Sequence, residues 1–209
     1  MLPFFPHPMM GRAQKTAFYV RGQSQTGLAT YTYSLAGLAA DDLVIVYSSY
    51  GSITSVSNSF ARVGSAYTWP GFGYTDDVFA KSITLADVGT TLTVTVGNTG
   101  GLMFFLVYRG ATAVSWKTSI ETTGVYTTAT GFTKTGGHLG VVCLGSDRSL
   151  GVMQVQSPAT PRISNATSAF FSGAAGDILD GAYINNSGID IGGTATGYVR
   201  VAHLLELTG

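Results

Sequence analysis

Leu102-Met-Phe-Phe-Leu-Val-Tyr108, closed by Arg109 and Gly110, is the stretch that decides the fold. It is far too short to cross a bilayer. An unbroken apolar run of this length, set between turn residues (Asn98-Thr-Gly-Gly101 before it), reads as a strand covered on both faces. Leu43-Val-Ile-Val-Tyr-Ser-Ser-Tyr50, entered from an Asp41-Asp42 turn, reads the same way. Around these two runs the pattern switches to alternation. Thr16-Ala-Phe-Tyr-Val-Arg21 alternates, Leu28-Ala-Thr-Tyr-Thr-Tyr-Ser34 alternates with Tyr31 and Tyr33 on one face, and Leu92-Thr-Val-Thr-Val96 alternates strictly, so that one of its faces meets solvent or loose packing. Further strands are expected at 60–69, 78–84, 119–122, 139–144, 152–156, 168–171, 178–184 and 198–207, with turn signals about every ten residues. A short helical turn is expected at 85–88. No long amphipathic helix and no repeat of fixed period is visible. The expected fold is therefore all-β, an antiparallel, jelly-roll-like β-sandwich over residues 15–209, preceded by an extended arm at 1–14.

Composition narrows the function. Of the 209 residues only 11% are charged, the formal net charge is zero and glycine occurs 28 times. No basic stripe exists to neutralise phosphates, so nucleic-acid binding is not expected. Soluble monomers usually carry more charge than this, so the composition suits a surface largely covered by other subunits. The single cysteine, Cys143 in Leu139-Gly-Val-Val-Cys-Leu144, can form no internal disulfide and reads as a small buried hydrophobe. No transmembrane run is present.

The arm, Met1-Leu-Pro-Phe-Phe-Pro-His-Pro-Met-Met10, carries prolines at 3, 6 and 8, which favour an extended path. It lacks the basic start and continuous apolar core of a signal peptide. Leu2, Phe4, Phe5, Met9 and Met10 are the expected anchors of an arm that inserts into a partner subunit, since a proline-stiffened segment loses little entropy on docking.

Several of these segments together resemble a broad set of bacteriophage virion β-sandwich proteins, tail- or fibre-associated or of the head-decoration type. The segments are Ala36-Gly-Leu-Ala-Ala-Asp-Asp-Leu-Val-Ile-Val46, Phe60-Ala-Arg-Val-Gly-Ser-Ala-Tyr67, Ala80-Lys-Ser-Ile83, Leu92 to Gly97 and Phe105-Leu-Val-Tyr-Arg-Gly-Ala-Thr112. The likeness covers about half the chain. It implies a virion location, other virion proteins as partners, a homo-oligomer and no catalytic residues.

Taken residue by residue, the chain offers little chemistry. His7, His138 and His203 stand apart, and no Gly-x-Ser-x-Gly elbow occurs. A Ser–His–Asp arrangement stays open, because its members need not be adjacent. Asp41-Asp42 and Asp76-Asp77 read as turn residues, and Arg109 is placed to pair with Asp41 or Asp42. Asp177, Asp180 and Asp190 could meet a calcium ion, but not in EF-hand order. No metal or other cofactor is expected. The loop Tyr67-Thr-Trp-Pro-Gly-Phe-Gly-Tyr74 presents Tyr67, Trp69, Phe72 and Tyr74, which could stack on a host surface glycan, anchor an interface, or fold back on the core. The expected function is a non-enzymatic structural protein of a phage particle. The alternative is a carbohydrate- or receptor-binding sandwich module.

Overall fold

Two apolar strands organise the chain: β3 (Leu43–Ser49) and β9 (Leu102–Arg109) pair antiparallel, Leu43 opposite Tyr108, and every residue in them except Arg109 is buried. The computed structural model describes residues 17–69, 73–98, 101–123, 127–129, 134–146, 153–155, 159–167, 172–178, 189–192 and 199–209. The arm, with Leu2, Phe4, Phe5, Met9 and Met10, lies outside the described residues, as does Phe72. All regular structure among the described residues is β-strand.

The other strands of the first half are β1 (Phe18–Thr26), β2 (Thr30–Ser34), β4 (Ile53–Val56), β5 (Ala61–Arg62), β6 (Tyr67–Thr68), β7 (Thr75–Ser82) and β8 (Thr91–Val96). They form an inner sheet in the order β1-β9-β3-β7-β5, with β6 also on β7, and an outer sheet β2-β8-β4. The second half contains β10 (Ala113–Thr123), β11 (Thr127–Ala129), β12 (Leu139–Ser146), β13 (Gln154–Val155), β14 (Thr160–Thr167), β15 (Ser172–Ile178), β16 (Ile189–Gly192) and β17 (Val199–Thr208). Its inner sheet runs β10-β17-β12-β15-β14 and its outer sheet β11-β16-β13. Strand for strand, this is the order of the first half, with β14 in the place of β5 and β6. The topology therefore repeats although no sequence period announces it.

Four sheets stack as outer, inner, inner, outer, and three cores lie between them. Tyr31, Tyr33, Leu92 and Val94 of the first outer sheet meet Val44, Val46, Phe105 and Val107. Met153, Val155 and Ala159 meet Val142, Leu144, Ala202 and Leu204 in the second half. The largest core is shared by the halves: Ile45, Tyr47, Phe104, Leu106 and Tyr108 pack against Val141, Cys143, Val201, Leu205 and Leu207. Each large apolar side chain buried there contributes about 1.5–3 kcal/mol. The alternating strand β8 turns its threonines outward as expected, while β3 and β9 are covered on both faces. Cys143 is fully buried, and burial pushes its thiol pKa up.

The pairing registers fix which residues correspond. Leu43 opens β3 opposite Tyr108, and Leu139 opens β12 opposite Leu207. Stepping along β9 and β17 from there aligns Phe104 with His203. Stepping along β7 and β15, from Ser48↔Asp77 and Gly145↔Gly173, aligns Asp76 with Gly173 and Ser49 with Gly145. Ser49 and Gly145 are corresponding residues, and they touch each other, since a Cβ on Gly145 would run into Ser49 Oγ. That contact marks an approximate twofold axis between the inner sheets. The flanks obey it: Arg162 of β14 lies over the Tyr19 ring of β1 at 4.8 Å, and Trp116 of β10 packs on Gly64, beside β5.

The halves also share a corner device. In the first, Arg109 forks Asp42 (Nε to Oδ1 2.7 Å, Nη2 to Oδ2 2.9 Å) while Asp42 accepts the Ala39 N–H. Burial alone would raise the Asp42 carboxyl, but the Arg109 fork and the Ala39 N–H outweigh it and hold the pKa below the usual range. In the second, the corresponding turn N–H of Thr135 goes to Glu206, which also meets His138 at 3.1 Å and Lys117 at 3.2 Å. Gly110, at φ 81°, lets the chain leave β9 and cross between the inner sheets.

Three readings change. Residues 60–69 form two short strands instead of one, because the turn at Gly64 (φ 68°) interrupts them. Asp76 and Asp77 sit inside β7 and point to opposite faces, Asp77 accepting the Ile53 N–H at 2.9 Å; they are not turn residues. Residues 84–87 make a turn closed by the Asp87 carboxylate on Thr84, not a helix.

Two outcomes are expected. A Cβ at Gly173 would lie 2.7 Å from Phe104 Cζ and 2.8 Å from the Leu144 carbonyl oxygen. Gly173→Ala should therefore cost about 1–3 kcal/mol, seen as a lowered Tm by circular dichroism. Asp42 has a lowered folded pKa, so its stabilising share is complete above the unfolded carboxylate value of about 4 and is lost as pH falls through the folded value. In urea titrations Asp42→Asn should be less stable than wild type at pH 7, and the gap should close toward pH 2.

Candidate functional site

The polar centre of the molecule lies in the shared core. His203 on β17 follows the inward alternation Val201, His203, Leu205, so its ring must enter the space between the inner sheets. Asp76, on the inward face of β7 with Val78 and Ala80, meets it from the other half. The His203 Nε2 to Asp76 Oδ2 distance is 2.7 Å, and neither residue is exposed to solvent. Asp76 is fully engaged. It accepts from Tyr47 Oη at 3.0 Å, the Tyr50 N–H at 2.9 Å and Trp69 Nε1 at 2.7 Å. Burial, and then the neighbouring carboxylate, push the Tyr47 hydroxyl pKa well up, so it stays a donor.

On its other nitrogen, His203 Nδ1 is 2.7 Å from Ser119 Oγ, its cross-strand partner on β10. A bulge between Trp116 and Thr118 inserts one extra residue. Trp116 and Ser119 consequently fall on the same face, and Trp116 Nε1 donates to Ser119 Oγ at 3.0 Å. The hydrogen-bonded order is thus Trp116–Ser119–His203–Asp76. Acceptance by the Asp76 carboxylate places a proton on Nε2, and Nδ1 shares its hydrogen bond with the serine hydroxyl. The rings of Tyr47, Tyr67 and Trp116 stand edge-on to the imidazole at centroid distances of 5.6, 5.3 and 4.8 Å.

The Ser–His–Asp set left open by the sequence is therefore assembled, running from part-buried Ser119 on β10 through His203 to Asp76 in the other half. Here the Trp116 indole bonds the hydroxyl and its ring lies against His203. A groove of about 490 Å³ between 61–64, 80–82 and 112–116 is lined by Trp116 but by none of Ser119, His203 and Asp76.

Of the aromatic loop, Tyr67 is half-buried and packs edge-on to Trp69 (6.0 Å, 83°). Trp69 is 1% exposed and its indole bonds Asp76, so it belongs to the core. Tyr74 is 37% exposed and its ring lies 5.4 Å from Tyr50. Tyr67 pairs with Asp76 and Thr68 with Thr75, and the Trp69 N–H donates to the Tyr74 carbonyl at 2.9 Å, so residues 67–69 run antiparallel to 74–76. Arg109 finds Asp42, as its place in the sequence suggested. Asp177, weighed for calcium, is buried and forked by Arg162 Nε at 2.9 Å to both oxygens. Asp180 lies outside the described residues, and only the backbone of Asp190 is described. Among the described residues no group of three His, Cys, Asp or Glu side chains is placed to hold a metal ion.

No family model matches the chain, and no curated protein or solved structure is significantly similar to it.

His203→Phe, which copies the residue at the corresponding position of the first half, would leave Asp76 buried without its histidine. The expected loss is about 3–5 kcal/mol. Ser119→Ala removes a peripheral link, with an expected loss of about 1 kcal/mol. Chemical denaturation of the two variants beside wild type checks the order.

Proposed function

We propose that the chain is a non-enzymatic structural component of a bacteriophage particle, tail- or fibre-associated or a head decoration. The observation that carries the reading is how the reactive side chains are used. His203, Asp76 and Ser119 bond one another, Arg109 bonds Asp42, Glu206 bonds His138 and Lys117, and Arg162 bonds Asp177. Asp76 and His203 are sealed in the shared core, and the Ser119 hydroxyl beside them also takes the Trp116 indole N–H. Such a sheet stack suits a rigid building unit.

The virion assignment rests on the pattern at 36–46, 60–67, 80–83, 92–97 and 105–112, together with the low charge and the proline-braced apolar arm. Homo-oligomeric assembly with other virion proteins follows from the same reading, with Leu2, Phe4, Phe5, Met9 and Met10 as the arm's anchors. The glycan-binding alternative loses its best ring, since Trp69 is committed to Asp76.

Two measurements test this. A chain lacking residues 1–14 should fold with an unchanged circular dichroism spectrum yet fail to enter particles in an assembly assay; incorporation at wild-type levels would refute the arm's role. A serine-directed fluorophosphonate probe should leave Ser119 unlabelled by mass spectrometry. Stoichiometric labelling of Ser119, lost in His203→Phe, would refute the non-enzymatic reading.

A further inference from the structure

We infer that the inner face of each half is keyed to the unlike half, and that it accepts that half from a second copy of this chain as well as from its own. This rests on the interface alone and not on the particle reading. The approximate twofold axis creates two corresponding positions on the interface. At one, His203 meets Asp76 at 2.7 Å. At the other, Phe104 meets Gly173, where a Cβ would lie 2.7 Å from Phe104 Cζ. One position is a hydrogen-bonded pair and the other is a ring seated over a glycine. On the axis itself Ser49 meets Gly145, where no Cβ has room.

Like pairs fail at each of these points. Two first halves would set Phe104 against Asp76 twice, stripping a buried carboxylate of its histidine each time, and would drive Ser49 into Ser49. Two second halves would set His203 against Gly173 twice, leaving Nε2 without its carboxylate beside a void, and would bring Gly145 to Gly145 across a gap. Buried unpaired charge, overpacking and voids are each destabilising. Specificity built from such mismatches against the wrong partner is stronger than specificity from favourable contacts alone. The flanking contacts, Trp116 on Gly64 and Arg162 on Tyr19, also join unlike halves.

Exchange between copies follows from the connection. Only Gly110, Ala111 and Thr112 separate β9 from β10. Exchange of a unit across a short connection is a low-cost route to a dimer, because the swapped and closed forms share the same interface.

The test uses the whole protein with a protease recognition sequence inserted between Gly110 and Ala111, cut after folding. Unlabelled and ¹⁵N-labelled cut samples are mixed, unfolded in denaturant, refolded together and weighed by native mass spectrometry. Unlike pairs should exceed like pairs at least about a hundredfold, the cost of one unpaired buried charge, with labels fully mixed. Like pairs at comparable abundance, or fragments that stay single, would overturn the keying. The uncut wild-type chain, refolded from the same mixture over a range of concentrations, gives a second readout that does not depend on the inserted site. Mixed-label dimers rising with concentration are expected, and monomers alone at every concentration would overturn exchange between copies.

Discussion

An apolar sheet face must be covered, and each inner sheet here has two. Leu43, Ile45 and Tyr47 point one way from β3 while Val44 and Val46 point the other, and all are buried. The short outer sheet of a half can cover only one of these faces. The second face must find another apolar sheet, and in this chain it finds the inner sheet of the other half. The unbroken apolar character of β3, β9 and β12 is thus what forces a four-layer stack in place of two separate sandwiches.

Apolar coverage by itself is indifferent to partner and register. The Asp76–His203 pair supplies the discrimination. A carboxylate holding four donors from Tyr47, Tyr50, Trp69 and His203 is satisfied in one arrangement only. A buried polar network adds little net stability compared with a well-packed apolar core, but any slip of one inner sheet on the other would break the His203–Asp76 bond that crosses between them and leave both groups buried without it. The Phe104–Gly173 seat on the other side of the axis does the same job by shape.

The strands that build the stack were legible because their physics is local. The runs at 43–50 and 102–108, short, apolar and bounded by turn residues, read as core strands, 92–96 showed its exposed face by alternation, and Arg109 lay one strand-end away from the Asp42 turn. Trp69 was harder. It sits beside Pro70 and Gly71, and that loop chemistry masked an inward ring whose partner, Asp76, lies on the following strand. His203 did leave a signal, as a polar residue at an inward position between Val201 and Leu205, which demands a buried partner; nothing in the sequence says that the partner is 127 residues away in the chain. The internal repeat was invisible because corresponding positions keep only their inward or outward sense. Phe104 answers to His203, Asp76 to Gly173 and Val107 to Glu206, so residue identity has been lost while the fold's alternation has not.

The buried ionisable groups Asp76 and His203 tie the two halves together through the shared core. The account stands or falls on whether the two halves are one cooperative unit joined through the shared core. Native-state hydrogen exchange read by mass spectrometry measures this directly. The amides of β3, β9, β12 and β17 should exchange together, only by global unfolding, and should lose protection in parallel as denaturant is added. Two separate isotherms, one for each half with its own midpoint, would contradict it.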